Sequence, residues 1–373
     1  MPHSLRTFIG PVGRWLLIAG VVLASTGIGQ APLASVASVV SRKPPAAPPL
    51  APPPAPPLVV GPLMSVAALS PSYIWAVGSA YTERWNGRHW TSVPNPGTTA
   101  DTELSGVAVT SASNAWAVGY SLRGAPVIFH WNGTRWSDVA SPVKSGVLSS
   151  VAASSPRNVW AVGYLLRPGK GDCNTCRTIT LHWNGSNWSK VASPDPGILQ
   201  GVAVVSARSA WAVGAGPQGS LVLRWNGARW VHVASQDGAA RDLTAVVALS
   251  ASSAWAVGDR HTGAFAEHWN GRTWKQLTTP GGTDGALNGV SAASARDVWA
   301  VGYEGGGIAI MHWNGRSWKR FKSPPVPANA HSHSLYGVAT ISAKDAWAVG
   351  YYGGGCCGLF AHWNGTTWKR EKR

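Results

Sequence analysis

"HWNGTRW" occupies residues 130–136 and sets two tryptophans around an Asn-Gly pair. The pattern returns as "HWNGSNW" at 182–188, "HWNGRTW" at 268–274, "HWNGRSW" at 312–318 and "HWNGTTW" at 362–368. Two variants begin with Arg, "RWNGRHW" at 84–90 and "RWNGARW" at 224–230, which makes seven copies. Asn-Gly between apolar runs is the strongest short hairpin signal, and it predicts a type I′ turn in which both central residues take positive φ. A second motif, "WAVG", begins at Trp75, Trp116, Trp160, Trp211, Trp255, Trp299 and Trp347, at intervals of 41, 44, 51, 44, 44 and 48 residues. Self-similarity at that period marks a propeller or a solenoid.

One unit holds four short strands. In the second copy they are predicted at "LSGVAVTS" (104–111), "AWAVGY" (115–120), "PVIFHW" (126–131) and "RWSDVA" (135–140). Alternation along a strand puts Trp116 and Val118 on one face and Ala117 on the other, so large side chains meet small ones on the neighbouring sheet. A lone four-stranded sheet leaves both of these faces wet, whereas seven sheets arranged radially cover one another. A linear solenoid needs atypical capping repeats, and here the first and last copies are nearly standard. The chain is therefore expected to be all-β: a seven-bladed β-propeller over residues 59–373, with four antiparallel strands per blade. Of the 22 tryptophans, Trp15 lies outside this region, leaving three for each copy to fill the wedge between blades. The repeated His before Trp reads as a packing residue rather than as five catalytic histidines.

Charged residues make up 12% of the chain, about half the usual share, and the formal net charge is +16. Arg6, Arg14, Arg42 and Lys43 precede the repeats, which leaves +12 on the remainder. Such a field attracts anions and keeps an anionic polymer open as a partner. No block of five basic residues appears before the 369–373 tail, so nucleic acid is not an expected partner. Ahead of the repeats, "WLLIAGVVLA" (15–24) follows two arginines and precedes a small-x-small site at Ser35-Val36-Ala37. Residues 1–43 thus read as a signal peptide or, if uncleaved, as a membrane anchor. Residues 44–58 form a Pro-rich linker with nine prolines in 44–57, a polyproline II spacer of roughly 43 Å at ~3.1 Å per residue. Both readings export the repeats, either secreted or tethered outside the cell membrane.

"SARDVWAVGY" (294–303) followed by "HWNGRSW" (312–318) resembles the Trp-rich propeller repeats of exported bacterial proteins. It is more distantly similar to the Asp-box repeats of sialidase-like propellers, although Asn replaces the Asp in all seven copies. The resemblance covers about 315 residues and implies a fold rather than an activity. In that family the Asp-boxes lie opposite the catalytic face. A sialidase-type site would need three arginines and a Tyr/Glu pair. Arg123, Arg167, Arg177, Arg241 and Arg260 lie in loops, but no motif singles out a triad, so no catalytic residue is carried over. The resemblance also implies that ligands meet the face built by the loops from second to third strand and by the connections between blades. Those are the segments that vary here, the expected sign of a working face on a repeat scaffold.

The candidates on that face are Tyr120, Tyr164, Tyr303 and Tyr351, each just past a WAVG, together with Tyr352 and Asp259. A ring of tyrosines at one mouth would stack on sugar rings or form a protein hot spot. Asp172, Asp195, Asp237, Asp242, Asp284 and Glu304 share these loops, and paired carboxylates among them would suit hydrolysis of a glycosidic bond. Cys173 and Cys176 lie in the longest insertion and Cys356 and Cys357 are adjacent, so local disulfides are expected in an exported chain. His331-Ser-His333 is a weak chelating pattern, and neither a metal nor a cofactor is expected. The functional expectation is a monomeric, non-enzymatic propeller that binds a glycan or an extracellular protein. A hydrolase or lyase acting on an anionic polysaccharide, or a structural module of the envelope, stands as the alternative.

Overall fold

A computed structural model describes residues 61–373 except 98–100, 166–175, 236–240, 261–262, 283 and 328–331. The expected signal or anchor segment (1–43) and Pro-rich linker (44–58) lie outside the described residues. Residues 59–373 form one compact unit.

Seven antiparallel sheets of four strands follow one another along the chain, at 65–92, 102–138, 147–191, 198–232, 241–277, 285–320 and 334–371. These are blades 1 to 7 of a β-propeller. Each is a simple meander, typified by blade 2: Thr102–Ser111, Asn114–Ser121, Pro126–Trp131 and Trp136–Asp138. The first strands of successive blades neighbour one another around the axis, and the first strand of blade 7 (Ser334–Ser342) neighbours that of blade 1 (Ser65–Ser70). Among the described residues each blade is built from four strands consecutive in the chain. The seam is sealed by side chains and short polar links. Leu63, Val66, Ile74 and Trp90 pack with Ala339, Trp347, Val349 and Phe360. The Leu63 N–H donates to the Gly350 carbonyl at 3.2 Å, and Arg373 Nε lies 3.2 Å from the fully buried Glu83 carboxylate.

The tryptophans are shared between blades in one repeating way. The WAVG indole of each blade reaches the third- and fourth-strand indoles of the next. Trp75 meets Trp131 and Trp136 at 5.0 and 4.9 Å. Trp116, Trp160, Trp211, Trp255 and Trp299 repeat the contact with the following blade. Trp347 closes the circle on Trp85 and Trp90 at 4.8 and 5.3 Å. The contact with the fourth-strand indole is edge-to-face, the arrangement that the ring quadrupole favours and that lets an N–H meet a π-face. Indole nitrogens such as those of Trp75, Trp136 and Trp274 are buried without an oxygen or nitrogen acceptor among the described residues. The third-strand indoles are held differently: those of Trp131 and Trp363 donate to the Ala112 and Ala343 carbonyls of the first turn in their own blades.

The repeated His or Arg lies against the WAVG indole of its own blade. His130 sits 4.3 Å from Trp116 and hydrogen-bonds Asn114 at 3.0 Å. His362 stacks on Trp347 at 4.4 Å and meets Asp345 at 3.0 Å. In blade 4 the Arg224 guanidinium covers Trp211 at 5.3 Å. These residues are packed and partnered on the scaffold.

The Asn-Gly turn departs from the expected type I′. Trp131 pairs with Trp136, so the loop holds four residues rather than two. Only the glycine is left-handed, with Gly133 at φ 99°; no asparagine takes positive φ. The asparagine acts through its side chain instead. Asn132 Oδ1 accepts the N–H groups of Thr134 and Arg135, both at 3.0 Å. The same two bonds recur in all seven copies, from Asn86 to Asn364. A two-residue turn with positive φ does occur elsewhere, at Ser79-Ala80 (φ 39° and 63°) between the second and third strands of blade 1.

Because each blade is a meander, its connections sort onto two faces. The first-to-second turns and the Asn-Gly turns make one, here called the turn face. The second-to-third loops and the connections between blades make the other, the loop face.

Candidate functional site

The first strand of a blade approaches the loop face through a bulge. In blade 2, Leu104 pairs with Gly119 and Gly106 with Val118, so Ser105 has no cross-strand partner. Ser149, Gln200, Thr244, Asn288 and Tyr336 occupy the same bulge in blades 3 to 7. A bulge bends its strand and re-aims a side chain. It also presses a carbonyl against the WAVG glycine: a Cβ on Gly119 would overlap the Glu103 carbonyl, and one on Gly258 the Asp242 carbonyl. The last residue of WAVG is thus glycine for lack of room and not for positive φ. Two bulge residues link blades. Asn288 Nδ2 donates to the Leu335 carbonyl at 2.9 Å and to Ser334 Oγ at 3.1 Å, while the Thr244 hydroxyl reaches the Leu287 carbonyl.

Around these bulges the predicted tyrosines divide into groups. Tyr120 pairs across its hairpin with Glu103, and Ser79 Oγ donates to Glu103 at 3.1 Å. Burial pushes the Glu103 carboxyl above its ordinary range, against the opposing pull of the Ser79 bond. Burial, and then the nearby Glu103 and Tyr164, push the Tyr120 phenol far above its own. Ser79, Glu103, Tyr120 and Tyr164 therefore form one half-buried group spanning blades 1 to 3. On blade 7, the other neighbour of blade 1, Tyr351 lies 5.6 Å from Tyr336, and its hydroxyl lies 3.2 Å from Ser332 Oγ. Tyr303, 39% exposed, is the most open tyrosine of the set.

Tyr352 does not join them. It follows Tyr351 on the strand and so points to the opposite face of the sheet. There the Arg370 guanidinium sits over its ring at 4.5 Å and donates to its hydroxyl at 3.0 Å. Asp259 stands directly opposite Asp242 on paired strands, both half-buried, which places two carboxylates on one hairpin of blade 5. Asp195 is a local staple. Burial alone would raise its carboxyl, but the Thr178 N–H at 2.6 Å, the Thr178 hydroxyl and Arg177 outweigh burial and hold it below the ordinary range. Glu304 likewise pins the connection before blade 6, meeting Arg320 at 2.6 Å and the Gly282 N–H.

Cys356 and Cys357 are joined in a disulfide whose Cα atoms lie 3.8 Å apart. Cys176 is buried, and its proposed partner Cys173 lies outside the described residues, as do Asp172, Asp237, Arg167 and His331. Among the described residues no three His, Cys, Asp or Glu side chains gather as a metal site. Sequence reasoning missed Glu103 and Tyr336. Both stand in columns of the repeat flanking the constant Leu of "L-x-G-V", so variation inside an otherwise constant strand was the available signal.

No family model matches the chain, and no curated protein matches it. Solved structures do. A structure described as "YCF48 bound to D1 peptide" superposes with a TM-score of 0.56 at 14% identity, covering 82% of this chain and 92% of that one. The WD40 β-propeller domain of Doa1 gives 0.58 at 14% identity, over 81% and 93%. The GH74 xyloglucanase from Xanthomonas campestris gives 0.63 at 13% identity, over 84% of this chain and 55% of that one. At these identities the likeness is one of fold: the chain is built as these β-propellers are.

Proposed function

We propose that the protein is an exported, non-enzymatic recognition propeller that holds a segment of a partner protein against the mouth of its loop face. The observation that carries this reading is the Ser79–Glu103–Tyr120–Tyr164 group on blades 1 to 3, with Tyr336 and Tyr351 on the adjoining blade 7. Rigid phenols offer stacking area at low entropic cost, together with hydroxyls for backbone groups. Glu103, with Asp242 and Asp259, adds negative charge at the centre of a basic protein, which favours segments bearing Lys or Arg. A propeller of this shape holding a peptide, as in the YCF48 complex, supports the reading. Export rests on residues 1–43 alone.

A displayed peptide library panned against the full chain tests it. Enriched peptides carrying Lys or Arg are the expected result, with affinity reduced about tenfold or more by Tyr120→Ala and by Glu103→Gln, each removing one anchor. No enrichment, or equal retention by both variants, would reject it. Binding confined to a glycan array would transfer the same mouth to a sugar ligand.

The opposed carboxylates of Asp242 and Asp259 favour a second reading, hydrolysis of an anionic polysaccharide. Opposed residues on paired strands have Cβ atoms about 5 Å apart, within the range of a carboxylate pair that cleaves glycosides. Depolymerisation abolished by Asp259→Asn would establish it.

A further inference from the structure

The turn face is unused by the proposed function and carries a charge pattern of its own. Arg88, Arg135 and Arg272 stand exposed on the Asn-Gly turns of blades 1, 2 and 5, whose first turns end in Ser72, Ser113 and Ser252. In the other four blades the first turn itself carries the cation: Arg157, Arg208, Arg296 and Lys344, all exposed. The aliphatic stems of these four lie against Gly185, Gly227, Gly315 and Gly365 of the neighbouring Asn-Gly turns. Blades 4 and 6 carry a second exposed cation on the Asn-Gly turn, Arg229 and Arg316, so the two kinds of turn hold nine and no blade lacks one.

None of the nine makes an ion pair among the described residues. The acids at these turns, Asp297 and Asp345, are engaged by His312 at 2.6 Å and His362 at 3.0 Å. Inside the ring, where first strands end on this face, Leu69 is 43% exposed and Leu249 36%. Both kinds of turn lie on the same face of all seven blades, so a plane can meet cations from every blade at once while a linear chain follows only part of the face. Eight of the nine are Arg, whose planar fork pairs with phosphate oxygens.

We infer that the turn face docks on an anionic phospholipid surface, with its guanidinium groups on headgroup phosphates and Leu69 and Leu249 at the interface. Docked in this way, the disc leaves its loop face turned outward and open to a partner. The attraction is electrostatic and short-ranged, so salt weakens it.

Co-sedimentation of the full chain with phosphatidylcholine vesicles, with and without phosphatidylglycerol, tests the inference. The N-terminal segment carries four cations of its own and contributes equally to wild type and variants, so the change in anionic-over-neutral excess between them reads the face. The expected result is a clear excess that falls as salt rises. It should drop about fivefold per cation removed, roughly a hundredfold in Arg157→Gln/Arg208→Gln/Arg296→Gln. If that variant melts early, Arg88→Gln/Arg135→Gln should show a drop of about 25-fold. An absent excess, an excess unchanged in a well-folded variant, or retention by dextran sulfate without any vesicle excess would each overturn it.

Discussion

Single residues in this repeat hold their places for reasons of space and of protonation. Burial lowers the pKa of His130, His182 and His268, each of which rests against a WAVG indole. The folded state then binds protons less readily than the unfolded chain. Their neutral form supports the fold above the ordinary histidine value of 6.5, and that support is lost as pH falls below it. Thermal melts should therefore show stability declining from pH 7 to pH 5, with a shallower decline in His268→Gln. Equal slopes would assign the acid sensitivity to other groups. The WAVG glycine is the second case. Gly119→Ala drives a Cβ into the Glu103 carbonyl and should cost about 1–3 kcal/mol, read as a lower urea midpoint at unchanged m.

At the scale of the element, the Asn-Gly hairpin is held by a side chain acting as a cap. Asn132→Ala removes the acceptor for two backbone N–H groups. By analogy with helix N-caps it should cost about 1 kcal/mol. Asn132→Asp, which keeps both bonds, should be close to neutral by the same melt. The two-residue turn of blade 1 makes the opposite case. Ala80 at φ 63° carries a left-handed penalty that glycine lacks, so Ala80→Gly should stabilise by about 1 kcal/mol. A loss instead would show that the turn gains more from the alanine than it spends in strain.

At the scale of the molecule, closure is the central physical fact. Among the described residues the ring closes without strand exchange, through the same three-indole contact that joins every other pair of blades. The seam should then be as strong as an internal interface. Trp347→Ala at the seam and Trp211→Ala within the ring each remove a fully buried indole and should each cost about 3–5 kcal/mol. Denaturant unfolding followed by fluorescence checks this. A seam mutant that loses much less would mean that the ring already breathes there.

Legibility followed the physics of each feature. The period, the paired WAVG and HWNG motifs and the three tryptophans per copy decided the blade count and strand order. Each unit is local in sequence, and its unsatisfied indole faces demand neighbours of their own kind. The sequence likewise placed the variable loops on one face, because a meander fixes the side on which each connection falls. Convergence was beyond it. That Glu103 would sit with Tyr120 and Tyr164, that Tyr352 would turn away to Arg370, and that cations from two kinds of turn would share one face all depend on contacts between residues far apart in the chain. The bulge in the first strands of blades 2 to 7, too, shows in sequence only as a variable residue between a constant Leu and a small residue. Its consequence, which side chains reach the mouth, exists only once seven sheets have closed around a common axis.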